Sequence, residues 1–234
     1  MSSGDAPERA AKQAVEEYVE SGMVVGLGTG FAASHAVRRL GELLAAGELQ
    51  DVRGIPTSAR TADLAEEAGI SLVTLAEARP ILTIDGADEI GPGLALIKGR
   101  GGALLREKIV AHAGQNGLIV VAGESKLVDS LGEGTLPVEV EPFGWEATLD
   151  ALTSLGRNAR LRTEAPNRPF VTDGDHYTVD CLFDEIPDPE ALEARMKRIP
   201  GVIETGLFLG LVRAAVVGHA DGVEVLRSDR EGAL

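Results

Sequence analysis

The sequence predicts an α/β protein: a doubly wound (Rossmann-like), mostly parallel sheet with an inserted, smaller α+β domain of the ferredoxin-like type. Three observations carry this prediction. Short apolar runs alternate with amphipathic segments over the first two-thirds of the 234-residue chain. Beyond about residue 131, strand-like and helix-like segments alternate in a pattern typical of a split βαβ unit. The last two strand-like segments suit a return to the first sheet.

Hydrophobic periodicity predicts the elements of the first part. Apolar residues recur at helical spacing in four segments, Pro7–Glu20, Ala32–Ala46, Ser58–Ala68 and Ala103–Ala113. Short apolar runs predict buried parallel strands at Met23–Leu27, Ile81–Ile84 and Leu118–Ala122, and Val52–Ile55 is expected to be a further strand. Because ligands bind beyond the carboxyl ends of such strands, we expect the loops after them to carry the chemistry.

The remaining elements define a second domain. Strands are expected at Leu136–Val140, Tyr177–Phe183 and Gly201–Leu207, with helices ending near Leu155 and covering Pro189–Arg198. Arg213–Val217 and Val223–Leu226 predict a hairpin-like return to the first sheet. The predicted domains are therefore 1–131 plus 207–234, and 132–206.

Composition excludes several classes of protein. Hydrophobic residues make up 44% and charged residues 25% of the chain, which is ordinary for a globular protein. Its apolar runs are too short to cross a membrane, and the first residues lack the basic and apolar regions of a secretory signal. The single cysteine, Cys181, excludes an internal disulfide and a thiolate cluster within the chain. We therefore expect a cytoplasmic protein.

The charge balance is strongly acidic, with a formal net charge of −15. Such a surface repels phosphate backbones, so no nucleic-acid partner is expected. Lysine is scarce, occurring at Lys12, Lys98, Lys108, Lys126 and Lys197. An acidic, lysine-poor surface suits a very salty cytoplasm, and we hypothesise a halophilic source. Chance acidity in a GC-rich genome is the alternative.

Four predicted strand-end loops carry candidate functional groups. The first, Val24-Val-Gly-Leu-Gly-Thr-Gly30, opens a helix and suits an anion, because glycines let the backbone approach and the helix N-terminus offers N–H groups. A dinucleotide fingerprint fits poorly, since it needs glycine where Phe31 stands.

The second loop crowds Asp85, Asp88 and Glu89 at a strand end. This clustering is costly unless a cation or proton transfer uses it, although turn and capping roles are the ordinary alternative. No histidine lies near in sequence, so no metal site is predicted.

The third loop places Lys98 and Arg100 among glycines at a helix start, with Glu107 following. This arrangement suits an anion and a developing oxyanion, although Glu107 could be an ordinary surface residue. The fourth loop carries Lys126. Together the four loops favour proton transfer on a small phosphorylated substrate.

At these residues the chain resembles the ribose-5-phosphate isomerase A family. The matching motifs run in order over nearly the whole length: GLGTG at 26–30, IPTSxRT at 55–61, DGADEI at 85–90, KGxGGALLREKIVA at 98–111, ESK at 124–126, LPVEV at 136–140 and IPGVIETGLF at 199–208. The resemblance implies a metal-free, cofactor-free isomerase that interconverts ribose 5-phosphate and ribulose 5-phosphate in the pentose phosphate pathway. It also implies a homo-oligomer, a dimer or tetramer.

The resemblance also implies roles for individual residues. Glu107 would be the base that shuttles a proton between C1 and C2. Asp85 would assist ring opening and hydroxyl proton transfer, and Lys98 would stabilise the enediolate. The substrate-binding set it implies is Thr29, Gly30, Phe31, Ala32, Gly86, Ala87, Asp88, Gly99, Arg100, Gly101 and Lys126.

One departure concerns the first loop. The family usually continues this loop as GTGST, whereas here Phe31 and Ala32 replace the two hydroxyl residues. A lost hydrogen bond to a charged group costs about 1.5–3 kcal/mol, so affinity is expected to fall. We hypothesise that Arg100, where the family has glycine, supplies compensating positive charge.

Two other functions remain open from sequence. One is an enzyme acting on another phosphosugar, which the DGADE and REK motifs disfavour. The other is a non-catalytic phosphosugar sensor, favoured by Phe31 and Ala32. Sensors of this kind carry a helix-turn-helix domain, for which the chain has no spare length, and they would not need Asp85, Lys98 and Glu107.

Overall fold

A computed structural model describes residues 5–228. Within that range, six α-helices, α1–α6, cover Asp5–Tyr18, Phe31–Ala45, Ala59–Glu67, Leu104–Ala113, Trp145–Thr153 and Pro189–Met196. The same range contains sixteen strands, β1–β16, at Val24–Leu27, Arg53–Pro56, Ser71–Leu72, Leu82–Asp85, Glu89–Ile90, Leu96–Ile97, Leu118–Gly123, Leu136–Val140, Asn158–Leu161, Thr163–Ala165, Arg168–Pro169, Tyr177–Leu182, Val202–Thr205, Leu207–Phe208, Val212–Gly218 and Val223–Arg227.

The described chain divides into two compact units. The first comprises residues 5–87, 106–126 and 211–228, and the second comprises 88–105 and 127–210. The boundaries expected from sequence differ from this grouping, because they put 88–105, 127–131 and 207–210 with the first unit. Apolar residues of these segments, Ile97, Leu131 and Leu207, lie in the hydrophobic core of the second unit.

The first unit is built on a seven-stranded sheet in the order β16-β15-β7-β4-β1-β2-β3. The pairs from β15 to β3 are parallel, and β16 pairs antiparallel with β15 at the edge. The predicted parallel sheet and its returning hairpin are confirmed. The two-residue β3 was not predicted, since so short a strand gives no hydrophobic pattern.

Both faces of this sheet are covered. Val25 and Leu27 of β1 lie in a core with apolar residues of α1, α2 and α3. Val24 points to the other face, where it packs with Ile55 and with Val110 of α4. Successive side chains of a strand point to opposite faces, so the apolar run of β1 contributes side chains to the hydrophobic cores on both faces of the sheet.

The second unit contains a four-stranded antiparallel sheet in the order β13-β8-β12-β9. With α5 after β8 and α6 after β12, the chain order is βαββαβ, and the predicted ferredoxin-like arrangement is confirmed. Strand β9 was missed, because its residues Asn158 and Arg160 are polar and exposed and leave only a weak apolar signal.

The strand predicted over Gly201–Leu207 is in fact two strands. Strand β13 pairs with β8, whereas β14 pairs with β6, and the break falls at Gly206. A Cβ atom at Gly206 would lie 2.3 Å from the carbonyl oxygen of Lys98, so only glycine allows the two segments to pass this closely.

No helix among the described residues has both the length and the apolar character needed to cross a membrane.

The buried Cys181 thiol gives a test of the second core. It is 1% exposed on β12, and burial raises its pKa to about 12. The folded thiol therefore stays protonated well above the pH at which an ordinary cysteine ionises. We expect native protein to resist labelling by a thiol-specific disulfide reagent at mildly alkaline pH, and denatured protein to label at one site. Rapid stoichiometric labelling of native protein would contradict this packing.

Candidate active site

In the first unit, the predicted loops all follow the carboxyl ends of parallel strands. The glycine loop follows β1, Asp85 is the last residue of β4, and Lys126 lies in a short 3-10 helix after β7. Because β1, β4 and β7 belong to one run of parallel strands, these ends lie at one edge of the sheet. This is the edge at which ligands bind in such folds.

Asp85 is 1% exposed and is held by backbone donors. Its Oδ1 accepts the N–H of Thr29 at 3.1 Å and the N–H of Gly86 at 2.7 Å. A Cβ atom at Gly28 would lie 2.2 Å from the same oxygen. Glycine at 28 therefore lets the first loop close onto the carboxylate, which joins two of the predicted motifs.

The Thr29 hydroxyl is committed to a buried hydroxyl network. Its Oγ1 lies 2.7 Å from Oγ1 of Thr57, 2.8 Å from Oγ of Ser58 and 3.0 Å from Oγ1 of Thr61. Thr61 also donates to the carbonyl of Gly28 at 3.0 Å. The hydroxyls lock the loop to the start of α3, where Ser58 is the N-cap. This network was not predicted; the signal was the hydroxyl-rich segment at 57–61.

The start of α2 presents backbone donors without side-chain hydroxyls at 31 and 32. Gly30 precedes the helix at φ 118°, a conformation that favours glycine, and the first turn contains no acidic residue. The first N–H groups of a helix have no intrahelical acceptor, so this end suits an anion. Phe31 is 67% exposed, and its ring meets that of His35 edge-on at 4.8 Å. Ala32 is half-buried.

Glu107 lies in the first turn of α4 and is 3% exposed. The alternative of an ordinary surface glutamate is therefore wrong. Gly86 and Ala87, which follow Asp85, and Lys126 are half-buried.

The second unit carries the other candidate residues. Lys98 is 2% exposed, its N–H donates to the carbonyl of Gly206 at 2.9 Å, and its Nζ lies 5.4 Å from the centre of the Phe208 ring. Gly99 is buried with φ 100°, and Gly101 is exposed. The Asp88 carboxylate accepts the N–H of Arg100 at 2.9 Å.

The Arg100 side chain is committed to Glu89. Its Nη2 forms an ion pair with Glu89 Oε1, and its Nε donates to the carbonyl of Thr135 at 3.2 Å. Glu89 is 2% exposed and also accepts the N–H groups of Gly132 and Gly134, each at 2.7 Å. Because Glu89 balances this charge, the hypothesis that Arg100 supplies extra positive charge to a ligand loses its support. The ion pair between Arg100 and Glu89 also explains in part why Asp85, Asp88 and Glu89 can lie so close together in sequence.

The largely buried ion pair of Arg162 with Asp180 in the second unit was not predicted from the sequence. Arg162 donates from Nε to Oδ2 of Asp180 at 3.0 Å and from Nη2 to Oδ1 at 2.5 Å. The one charged residue inside the buried strand β12 was the available signal, since a buried charge requires a partner.

Among residues 5–228, no group of three or more His, Cys, Asp or Glu side chains is arranged to hold a metal ion.

Comparisons with known proteins agree with one another. The family model for ribose 5-phosphate isomerase A (phosphoriboisomerase A) matches residues 53–222. Ribose-5-phosphate isomerase A of Gloeobacter violaceus is 55% identical over 94% of each chain. The solved structure of ribose 5-phosphate isomerase A from Methanocaldococcus jannaschii is 40% identical, with TM-score 0.90, covering 97% of this chain and 100% of that one. A D-ribose-5-phosphate isomerase in complex with phospho-erythronic acid is 38% identical, with TM-score 0.92 and the same coverage.

The contact between Gly28 and Asp85 predicts an intolerant position. Replacing Gly28 with alanine puts a methyl group against a buried carboxylate, and we expect a loss of about 1–3 kcal/mol in the free energy of unfolding. Gly222→Ala is the control, because a Cβ atom there meets nothing within 4 Å and the backbone is not left-handed. Equal unfolding curves for the two variants would contradict the close approach.

Proposed function

The chain belongs to the ribose 5-phosphate isomerase A family, and from this membership we propose that it interconverts D-ribose 5-phosphate and D-ribulose 5-phosphate through an enediolate. The observation that carries the proposal is the burial of the reactive groups. Glu107, Asp85 and Lys98 lie in the family motifs and are 3%, 1% and 2% exposed. Buried ionisable residues concentrate at functional sites, where a low-dielectric environment tunes them for chemistry.

Glu107 is the proposed general base. On the open-chain aldose its carboxylate takes the proton from C2, and the C2–H electron pair forms the C1–C2 double bond as negative charge moves onto O1. The proton of the O2 hydroxyl passes to O1, and the carboxylic acid returns its own proton to C1 as the C2 carbonyl forms. One side chain thus serves both half-reactions, and no atom or electron is left over.

Asp85 and Lys98 are proposed to handle the oxygen atoms. Asp85 moves the hydroxyl proton during ring opening and between O2 and O1 during isomerisation. Lys98 stabilises the enediolate oxygen, because a fixed cation in a buried position acts more strongly than one in water. This chemistry requires no metal or redox cofactor.

Substrate binding is assigned to the remaining residues of the motifs. The phosphate is proposed to bind at the N-terminus of α2, where Gly30, Phe31 and Ala32 offer backbone N–H groups. The Thr29 hydroxyl is proposed to hold this loop in place through its hydrogen bonds to the buried hydroxyl network. Asp88 and Lys126 are proposed to line the sugar pocket, with further contacts from Gly86, Ala87, Gly99, Arg100 and Gly101. The complex of a structurally similar isomerase with a phosphorylated sugar acid supports this substrate class.

The cellular setting is proposed on composition and family. A net charge of −15 with few lysines supports a protein of a salty cytoplasm. The family supports a homodimer or homotetramer acting in the pentose phosphate pathway.

The test is conversion of ribose 5-phosphate to ribulose 5-phosphate in high salt with a chelator present. We expect the wild type to remain active and Glu107→Gln to lose about 10²–10⁴-fold in kcat, the usual contribution of a general base. Glu146→Gln is the matched control, because Glu146 is an exposed glutamate in the first turn of α5.

Two results would overturn the proposal. Activity abolished by the chelator would point to a metal-dependent reaction. A folded wild type with no isomerase activity would favour a phosphosugar sensor, or an enzyme for another phosphosugar, and would direct attention to Phe31 and Ala32.

A further inference from the structure

The peptide group between Gly99 and Arg100 is held at both of its ends. Its carbonyl oxygen, on Gly99, accepts Nη1 of Arg162 at 3.2 Å and the N–H of Gly102 at 2.9 Å. Its N–H, on Arg100, donates to Oδ2 of Asp88 at 2.9 Å. A single peptide plane therefore connects the Arg162 guanidinium to the Asp88 carboxylate.

The Arg162 guanidinium is itself fixed. Asp180 binds it through two parallel hydrogen bonds, and the two side chains are only 15% and 9% exposed. The guanidinium also lies 5.6 Å from the centre of the Phe170 ring, and Nη1 donates to the carbonyl of Arg100 at 3.1 Å. A bidentate, largely buried pair of this kind has one well-defined geometry.

We infer that Arg162 is a positioning residue that orients the Gly99–Arg100 peptide and, through it, the Asp88 carboxylate. The inference rests on the proposed function, in which Asp88 lines the sugar pocket. The positive charge of Arg162 attracts the carbonyl end of the peptide dipole, so the N–H end points at Asp88. Hydrogen bonds in such a chain polarise and strengthen one another.

Because residue 99 is glycine, the orientation of this peptide must be fixed by contacts from outside it. Its φ of 100° is a conformation in which peptide planes rotate at low cost, because no Cβ restricts them. The opposite orientation would turn a carbonyl oxygen towards the Asp88 carboxylate and remove its N–H donor. Without Arg162, the carbonyl of Gly99 keeps the N–H of Gly102 but loses its cationic donor, so the present orientation of the peptide is less strongly favoured over the opposite one.

The loop does not depend on Arg162 for its overall path. The Arg100 side chain is tied separately to Glu89 and Thr135, and the N–H of Lys98 is tied to Gly206. Loss of Arg162 should therefore change the orientation of one peptide and one carboxylate while the segment stays in place.

The first measurement is independent of catalysis: amide hydrogen exchange of the segment 98–102 in the wild type and in Arg162→Met. We expect exchange to be roughly tenfold faster or more in the variant, because the N–H of Arg100 loses its fixed acceptor geometry. Arg157→Met is the matched control, since it breaks an Arg–Asp pair of the same unit whose side chains are 71% and 79% exposed. Unchanged exchange in Arg162→Met would overturn the inference.

The second measurement is a double-mutant cycle in the isomerase assay, using Arg162→Met, Asp88→Asn and the double variant. If Arg162 acts through Asp88, Arg162→Met raises KM by about tenfold with kcat within about threefold, and the double variant is no worse than Asp88→Asn. Additive losses would show that Arg162 acts independently of Asp88 and would overturn the inference.

The two arms separate this inference from the proposed function. An inactive wild type would count against the function, while the exchange arm would still decide whether Arg162 orients the peptide.

If Arg162→Met fails to fold because Asp180 is left buried without its partner, Arg162→Lys takes its place. Lysine keeps the charge but lacks the fork that reaches Asp180 and both carbonyls together, so we expect a smaller rise in exchange and in KM, and wild-type values for both would contradict us.

Discussion

The burial of charged side chains beside turns of the backbone is the constraint on which the rest of the structure depends. An ionised carboxylate removed from water requires N–H donors or a cation, and the chain must bend to supply them. Asp85 obtains the N–H groups of Thr29 and Gly86, which brings the first glycine loop onto the end of β4. Glu89 obtains two glycine N–H groups and Arg100, which gathers the loop at 132–134 around β5. In both cases the position of a loop follows from the need to satisfy one carboxylate.

This constraint also accounts for the placement of three basic residues of the second unit. In a chain with net charge −15, Arg100 and Arg162 form ion pairs with the buried carboxylates of Glu89 and Asp180. Lys98 is buried beside the ring of Phe208. The arginines serve through their planar, many-donor geometry, which suits fixed pairing. Lysine, a compact charge on a flexible stem, occupies position 98, where charge stabilisation is proposed.

Sequence reasoning predicted the layered fold well because buried parallel strands such as β1 and β7 read as continuous apolar runs. It failed for β9, whose Asn158 and Arg160 face outward, and at Gly206, where one apparent strand serves two sheets. At the site, family motifs supplied the candidate residues, and their roles stay predictions. The hydroxyl network around Thr29 and the contacts of Arg162 were missed, because such contacts join residues far apart in sequence and periodicity carries no information about them.

The central claim is that a buried glutamate moves a proton between C1 and C2, and isomerisation in deuterated water tests it most directly. With the wild type, the account predicts deuterium at C1 of ribulose 5-phosphate and at C2 of the recovered ribose 5-phosphate, because a proton held on a carboxylate exchanges with solvent before its return. The same label should be lost in Glu107→Gln together with turnover. Isomerisation carried to equilibrium with no deuterium in either sugar would indicate a direct hydride shift and would contradict the account.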